Sequence, residues 1–109
     1  MSQIDLIAII FPKEGKADRV AELLNEISTH IEATEPGTLK YEIKKEVNKK
    51  TGAVEIIMLE SYKDEAATAA HGSSEEFKAF GKMLKDEDLI AKPMELKFLQ
   101  HVGGFSSRL

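Results

Sequence analysis

Cysteine is absent from the 109 residues, which excludes disulfides, thiolate metal sites and cysteine nucleophiles together. A long apolar run is missing too. Nothing approaches the roughly 20 residues of a membrane helix, and the apolar stretch Ile4–Phe11 has no basic segment before it. The chain therefore reads as a cytoplasmic protein without a membrane partner. An excess of positive charge is also lacking: 15 Lys and Arg stand against 19 Asp and Glu, a net charge of −4. The lysines alternate with glutamates (Glu42, Lys44, Lys45, Glu46) instead of forming a stripe, so no nucleic-acid partner is expected. There is no glycine-rich phosphate loop, no nucleophile elbow and no HExxH pair. Three histidines without clustered carboxylates give no reason to expect a metal.

The residues that are present alternate between two periodicities. Gln3–Phe11 is rich in isoleucine and apolar at successive positions, as in a strand buried on both faces, and Pro12 ends it. From Lys16 to about Glu35, Ala17, Val20, Leu23, Leu24, Ile27 and Ile31 recur at helical spacing until Pro36-Gly37. Thr38–Asn48 alternates, with Leu39, Tyr41, Ile43 and Val47 against Lys40, Glu42, Lys44 and Glu46. Lys49–Gly52 reads as a hairpin turn, and Ala53–Tyr62 as a strand with apolar residues on both faces. Asp64 can cap a short helix over Glu65–His71, and Ser74 a second one carrying Phe77, Phe80, Met83 and Leu84. Lys92-Pro93 opens a final strand over Met94–Val102.

The order β-α-β-β-α-β predicts an α+β domain of the ferredoxin-like split βαβ type, with an antiparallel sheet whose first and third strands are central. One domain spans residues 1–109, with a core over about 3–103 and a tail from 104 to 109. Helices can cover one face of that sheet. The other face, which includes some of Ile7, Ile9, Ile57 and Leu59, calls for a second copy of the chain, and a homodimer is expected. The alternative is a monomer whose tail folds over that face.

The hairpin register places Tyr41 opposite Glu60 and Ile43 opposite Met58 if Val47 faces Val54. Glu60 then lies among apolar side chains on the helix-packed face, where a carboxylate needs a partner. Tyr41, Tyr62 and His71 are the polar candidates. A Glu60–His71 pair at the rim of a hydrophobic pocket would suit proton transfer. The plainer alternatives have Glu60 reaching solvent and His71 favoured at a helix C-terminus by the macrodipole. Phe77, Phe80 and Met83 form a stripe that suits a core, a pocket wall or both.

The strings EPGTLKYEI after the first helix and ESYKDEAATAAHGSSEEFKAF after the third strand, with the closing KPMELKFL, resemble an antibiotic biosynthesis monooxygenase (ABM) domain. The resemblance runs from Ile4 to about Val102 and implies a dimeric α+β barrel with a pocket between sheet and helices in each subunit. It implies a cofactor-independent oxygenase acting with molecular oxygen on a small aromatic, quinol or polyketide-like molecule. Glu60 and His71 match the family's Glu and His positions and are the expected catalytic pair. Tyr41 and Tyr62 would position the substrate, and Met58, Phe77 and Phe80 would line the pocket. Tyr62 stands where many members have tryptophan, and this chain has none, so mechanisms that orient substrate with an indole do not carry over. The haem-degrading branch places its iron-binding histidine near Gly81, which cannot ligate iron. Two other readings keep the same pocket: a small-molecule-binding or stress-associated barrel without catalysis, and an isomerase of a small carbonyl compound.

Overall fold

The computed structural model describes residues 2–47 and 53–108, so the turn expected at Lys49–Gly52 lies outside the described residues. The elements run β1 Ile4–Pro12, α1 Ala17–Thr34, β2 Thr38–Lys45, β3 Ile56–Tyr62, α2 Glu65–Gly72, α3 Glu75–Asp86 and β4 Ile90–Leu99. The sheet order is β2-β3-β1-β4 with antiparallel neighbours, the expected arrangement with the two apolar strands in the centre. Tyr41 pairs with Glu60 and Ile43 with Met58. Alternation of apolar and charged residues along β2 is what fixes that register, since a slip of one residue would turn every side chain to the other face.

One face of the sheet buries Leu6, Ala8 and Ile10 of β1 and Ile56 and Met58 of β3 against Val20, Leu23, Leu24, Ile27 and Ile31 of α1. These ten side chains are the apolar positions at periods of two and 3.6 that the sequence displays. Asp64 caps α2, its Oδ1 accepting from the Ala67 N–H at 2.8 Å, and the Ser74 Oγ caps α3 by accepting from the Phe77 N–H at 3.2 Å. Gly37 is needed for close approach: a Cβ there would stand 2.7 Å from the Ala67 Cβ of α2. The Gly37 carbonyl accepts from the Lys63 N–H at 2.9 Å, so the α1–β2 turn is clasped to the residue that leads into α2.

Strand β4 begins at Ile90 and ends at Leu99, earlier at both ends than Met94–Val102. Proline does not open it. Ile9 pairs with Glu95 and Phe11 with Lys92, so Pro93 and Met94 oppose Ile10 alone, two residues against one. Proline has no N–H to give to a ladder, and a bulge on an edge strand tolerates it. Leu96 and Phe98 take the helix side of the sheet, as their pairing with Ala8 and Leu6 requires, and Met94 lines the same cavity. The helices do not reach over them, however, and Leu96 and Phe98 remain 52% and 65% exposed.

On the opposite face, Ile7, Ile9, Ile57 and Leu59 are half-exposed. The described part of the tail does not cover them: Val102 is 94% and Phe105 74% exposed, so the alternative of a tail folded over that face is not what the structure shows. Among the described residues no helix is long and apolar enough to cross a membrane.

Candidate functional site

A cavity of about 200 Å³ lies between the sheet and helices α2 and α3, closed on one side by β4. All seven residues singled out in the sequence line it: His71, Glu60, Tyr41, Tyr62, Met58, Phe77 and Phe80. A wider and more polar hollow of about 610 Å³ on the other face touches Asp5, Lys40, Ser61 and His101 but not His71. The smaller one has the properties of a ligand site, apolar walls with a few convergent polar groups.

Each polar group is placed by its element. Glu60 and Tyr62 are two residues apart on β3 and therefore share the inner face. The Tyr62 hydroxyl donates to Glu60 Oε1 at 2.5 Å. Burial pushes the Glu60 carboxyl above its ordinary value; the Tyr62 hydrogen bond and the nearby His71 oppose the rise without cancelling it. Burial likewise raises Tyr41 and Tyr62, reinforced by the Glu60 carboxylate. Both phenols therefore stay protonated across the physiological range. Tyr62 spends its hydroxyl on Glu60, so it holds the acid in place and has no O–H to offer a substrate. Among the described residues the Tyr41 hydroxyl has no hydrogen-bond partner, and it is the phenol free to donate into the cavity.

His71 is 6% exposed, near the end of α2. Its ring sits between Tyr41, Tyr62 and Phe77, with centroids 5.5, 5.4 and 5.2 Å away and all three rings tilted. The expected Glu60–His71 pairing is corrected here. The carboxylate bonded to His71 is Glu35, whose Oε1 lies 2.9 Å from Nδ1, while Glu60 takes its hydrogen bond from Tyr62. The geometry of β3 explains this, because a neighbouring tyrosine on the same face already reaches Glu60. Glu35 is the cap residue at the C-terminal end of α1, and its Oε1 also accepts from Thr38 Oγ1 at 2.9 Å.

The sequence did carry a sign of Glu35. A carboxylate at a helix C-terminus opposes the macrodipole by about 0.3–1 kcal/mol. An acidic residue there, immediately before Pro36-Gly37, asks for a reason, and His71 supplies one. The other histidines are peripheral. His30 is exposed and its Nε2 lies 3.4 Å from Glu76 Oε1, and His101 is exposed beyond β4. Among the described residues no group of three or more His, Asp or Glu side chains is arranged to hold a metal ion.

Fold and site together define a small ferredoxin-like α+β protein with an acid–base cluster buried beneath its sheet. The antibiotic biosynthesis monooxygenase family model matches residues 4–83, from β1 through most of α3, and the chain belongs to that family. No curated protein matches it. Among solved structures it is similar to a candidate antibiotic biosynthesis monooxygenase from Caulobacter crescentus. That pair has a TM-score of 0.79 and 24% identity, covering 94% of this chain and 92% of that one. A protein from Mycobacterium tuberculosis gives a TM-score of 0.77 at 20% identity, over 96% of this chain and 100% of that one. One from Pseudomonas aeruginosa gives 0.76 at 22%, over 94% and 97%. At these identities the likeness is one of fold.

Proposed function

We propose that the chain is a cofactor-independent oxygenase of the ABM type that oxidises a small phenol or quinol with molecular oxygen. The observation that carries this reading is an apolar cavity lined at once by His71, Glu60 and Tyr41. A scaffold or passive barrel would have packed Phe77 and Phe80 across that space. The size narrows the substrate. An apolar cavity of about 150 Å³ holds benzene, so about 200 Å³ suits one or two rings and disfavours a larger polyketide.

The chemistry asks little of the protein. His71 takes the proton from the substrate hydroxyl, and Tyr41 donates to an oxygen of the bound ring. The electron-rich phenolate passes one electron to oxygen, and the resulting pair combines into a ring hydroperoxide that receives its proton from His71. Loss of water then breaks the O–O bond and leaves a carbonyl. A phenol and one dioxygen thus become a quinone and one water, with one atom of the dioxygen in each product. Apolar walls keep bulk water from the anion during these steps.

In this reading the protein works as a homodimer in the cytoplasm, the half-exposed isoleucines and Leu59 of one protomer facing those of its partner. The test is oxygen uptake with a panel of one- and two-ring phenols and quinols. The expected result is quinone formation that His71→Ala lowers at least about 10²-fold with the fold intact. Turnover without oxygen consumption would replace the oxygenase by an isomerase using the same groups. Uptake unaffected by His71→Ala would remove His71 from the mechanism.

A further inference from the structure

Glu35 is not part of the cavity wall, yet its carboxylate is the group that His71 touches. The arrangement is asymmetric. Oε1 has two partners, Thr38 Oγ1 and His71 Nδ1, whereas Oε2 is buried with none among the described residues. A buried carboxylate oxygen without a donor is unfavourable. So is an acid at the C-terminal end of a helix. A small neutral residue at position 35 would avoid both penalties and could cap α1 as well. What it could not do is present a charged acceptor to Nδ1.

We infer that Glu35 is the positioning residue of the site, holding the proton of His71 on Nδ1 so that the Nε2 lone pair is left for a substrate hydroxyl in the cavity. The inference rests on the oxygenase reading only for its effect on turnover; the tautomer is a property of the resting protein. Free histidine prefers the opposite tautomer, with the proton on Nε2, and would then present a donor to the cavity instead of a base. A carboxylate accepting from Nδ1 reverses the preference and also stabilises the imidazolium that forms when Nε2 takes a proton. The aromatic rings of Tyr41, Tyr62 and Phe77 confine the imidazole but have no atom that could choose between its nitrogens in this way. Glu60, the other carboxylate nearby, is engaged by Tyr62.

The experiment is long-range 15N–1H correlation NMR of the histidine side chains at a pH where His71 is neutral, with His71→Gln to assign its signals among the three histidines. Wild-type protein is expected to show His71 in the Nδ1–H form. In Glu35→Ala, which has no acceptor for Nδ1, the signal is expected to shift toward the Nε2–H form, and oxygen uptake with the phenol panel to fall by about 10²-fold. Glu35→Asp, which keeps the acceptor at shorter reach, is expected to recover part of both. An Nε2–H tautomer in the wild type overturns the inference without any variant, which covers a Glu35→Ala protein that fails to fold. A tautomer unchanged in Glu35→Ala overturns it too. The expected tautomer shift without oxygen uptake from any phenol leaves Glu35 in its role and removes the oxygenase reading.

Discussion

At the scale of single residues, the pocket is built from commitments made in pairs. Tyr62 is tied to Glu60 and Glu35 to His71, and among the described residues the Tyr41 hydroxyl and His71 Nε2 have no hydrogen-bond partner. The raised Glu60 carboxyl has a consequence for stability. Below its ordinary value of 4.5 the carboxyl is protonated in folded and unfolded chains alike and costs nothing. As pH rises past that value the unfolded chain releases the proton first, so stability is lost progressively until the folded carboxyl also ionises. Glu60→Gln, which can still accept from Tyr62, is expected to raise Tm at pH 7 by a few degrees, roughly the effect of 1 kcal/mol in a domain of this size. At about pH 4 the gain should vanish. Thermal unfolding at the two pH values checks this, and an equal Tm change at both would mean that ionisation is not the cause. Glu60 and His71 were legible in the sequence as residue types out of place on an inner face and at a helix end. Tyr62 stood among the candidate partners of Glu60, but Glu35 was not foreseen for His71, because that pairing depends on a distance between the ends of α1 and α2 that no spacing along the chain encodes.

At the scale of elements, strands and caps could be read because each has a local cause: alternation in β2, helical recurrence in α1, Asp64 and Ser74 before their helices. The start of β4 could not. Its first residues are held by pairing to β1 across a bulge, and a proline read in isolation argues against a strand interior. The α1–β2 turn approaches α2 closely at Gly37, where a Cβ would stand 2.7 Å from the Ala67 Cβ. Gly37→Ala is expected to destabilise the protein by about 1–3 kcal/mol and to displace His71 from Glu35. Adding Ala67→Gly should return much of the loss by making room for the new methyl. Chemical denaturation of the wild type, single and double variants forms the cycle; additive effects would show that the two positions do not meet.

For the whole molecule, the two-faced pattern of β1 and β3 was the strongest signal in the sequence, and the sheet that results keeps half-exposed apolar side chains on the face away from the helices. If a second copy covers that face, sedimentation at micromolar concentration should give twice the chain mass, and Ile9→Lys should give the single mass with the circular dichroism spectrum retained. A wild type that sediments as one chain would leave that face without the proposed partner. How two copies would meet is beyond the sequence because an apolar face specifies that it be covered and says nothing of the angle.

The uncovered inner face of β4 has one more consequence. Met94, Leu96 and Phe98 close the cavity from an edge strand, apart from β2, β3 and α2, which carry Tyr41, Glu60, Tyr62 and His71, and they lie outside the matched span 4–83. The strand is held to β1 through its backbone ladder, which is indifferent to side-chain identity. Mutations at these three positions can therefore reshape what the cavity admits while the acid–base cluster and the core stay as they are. A lineage that duplicates such a gene has a short stretch of sequence in which to search for new substrates at little risk to folding. Divergent chemistry among close relatives of this chain is expected to track β4 before anything else.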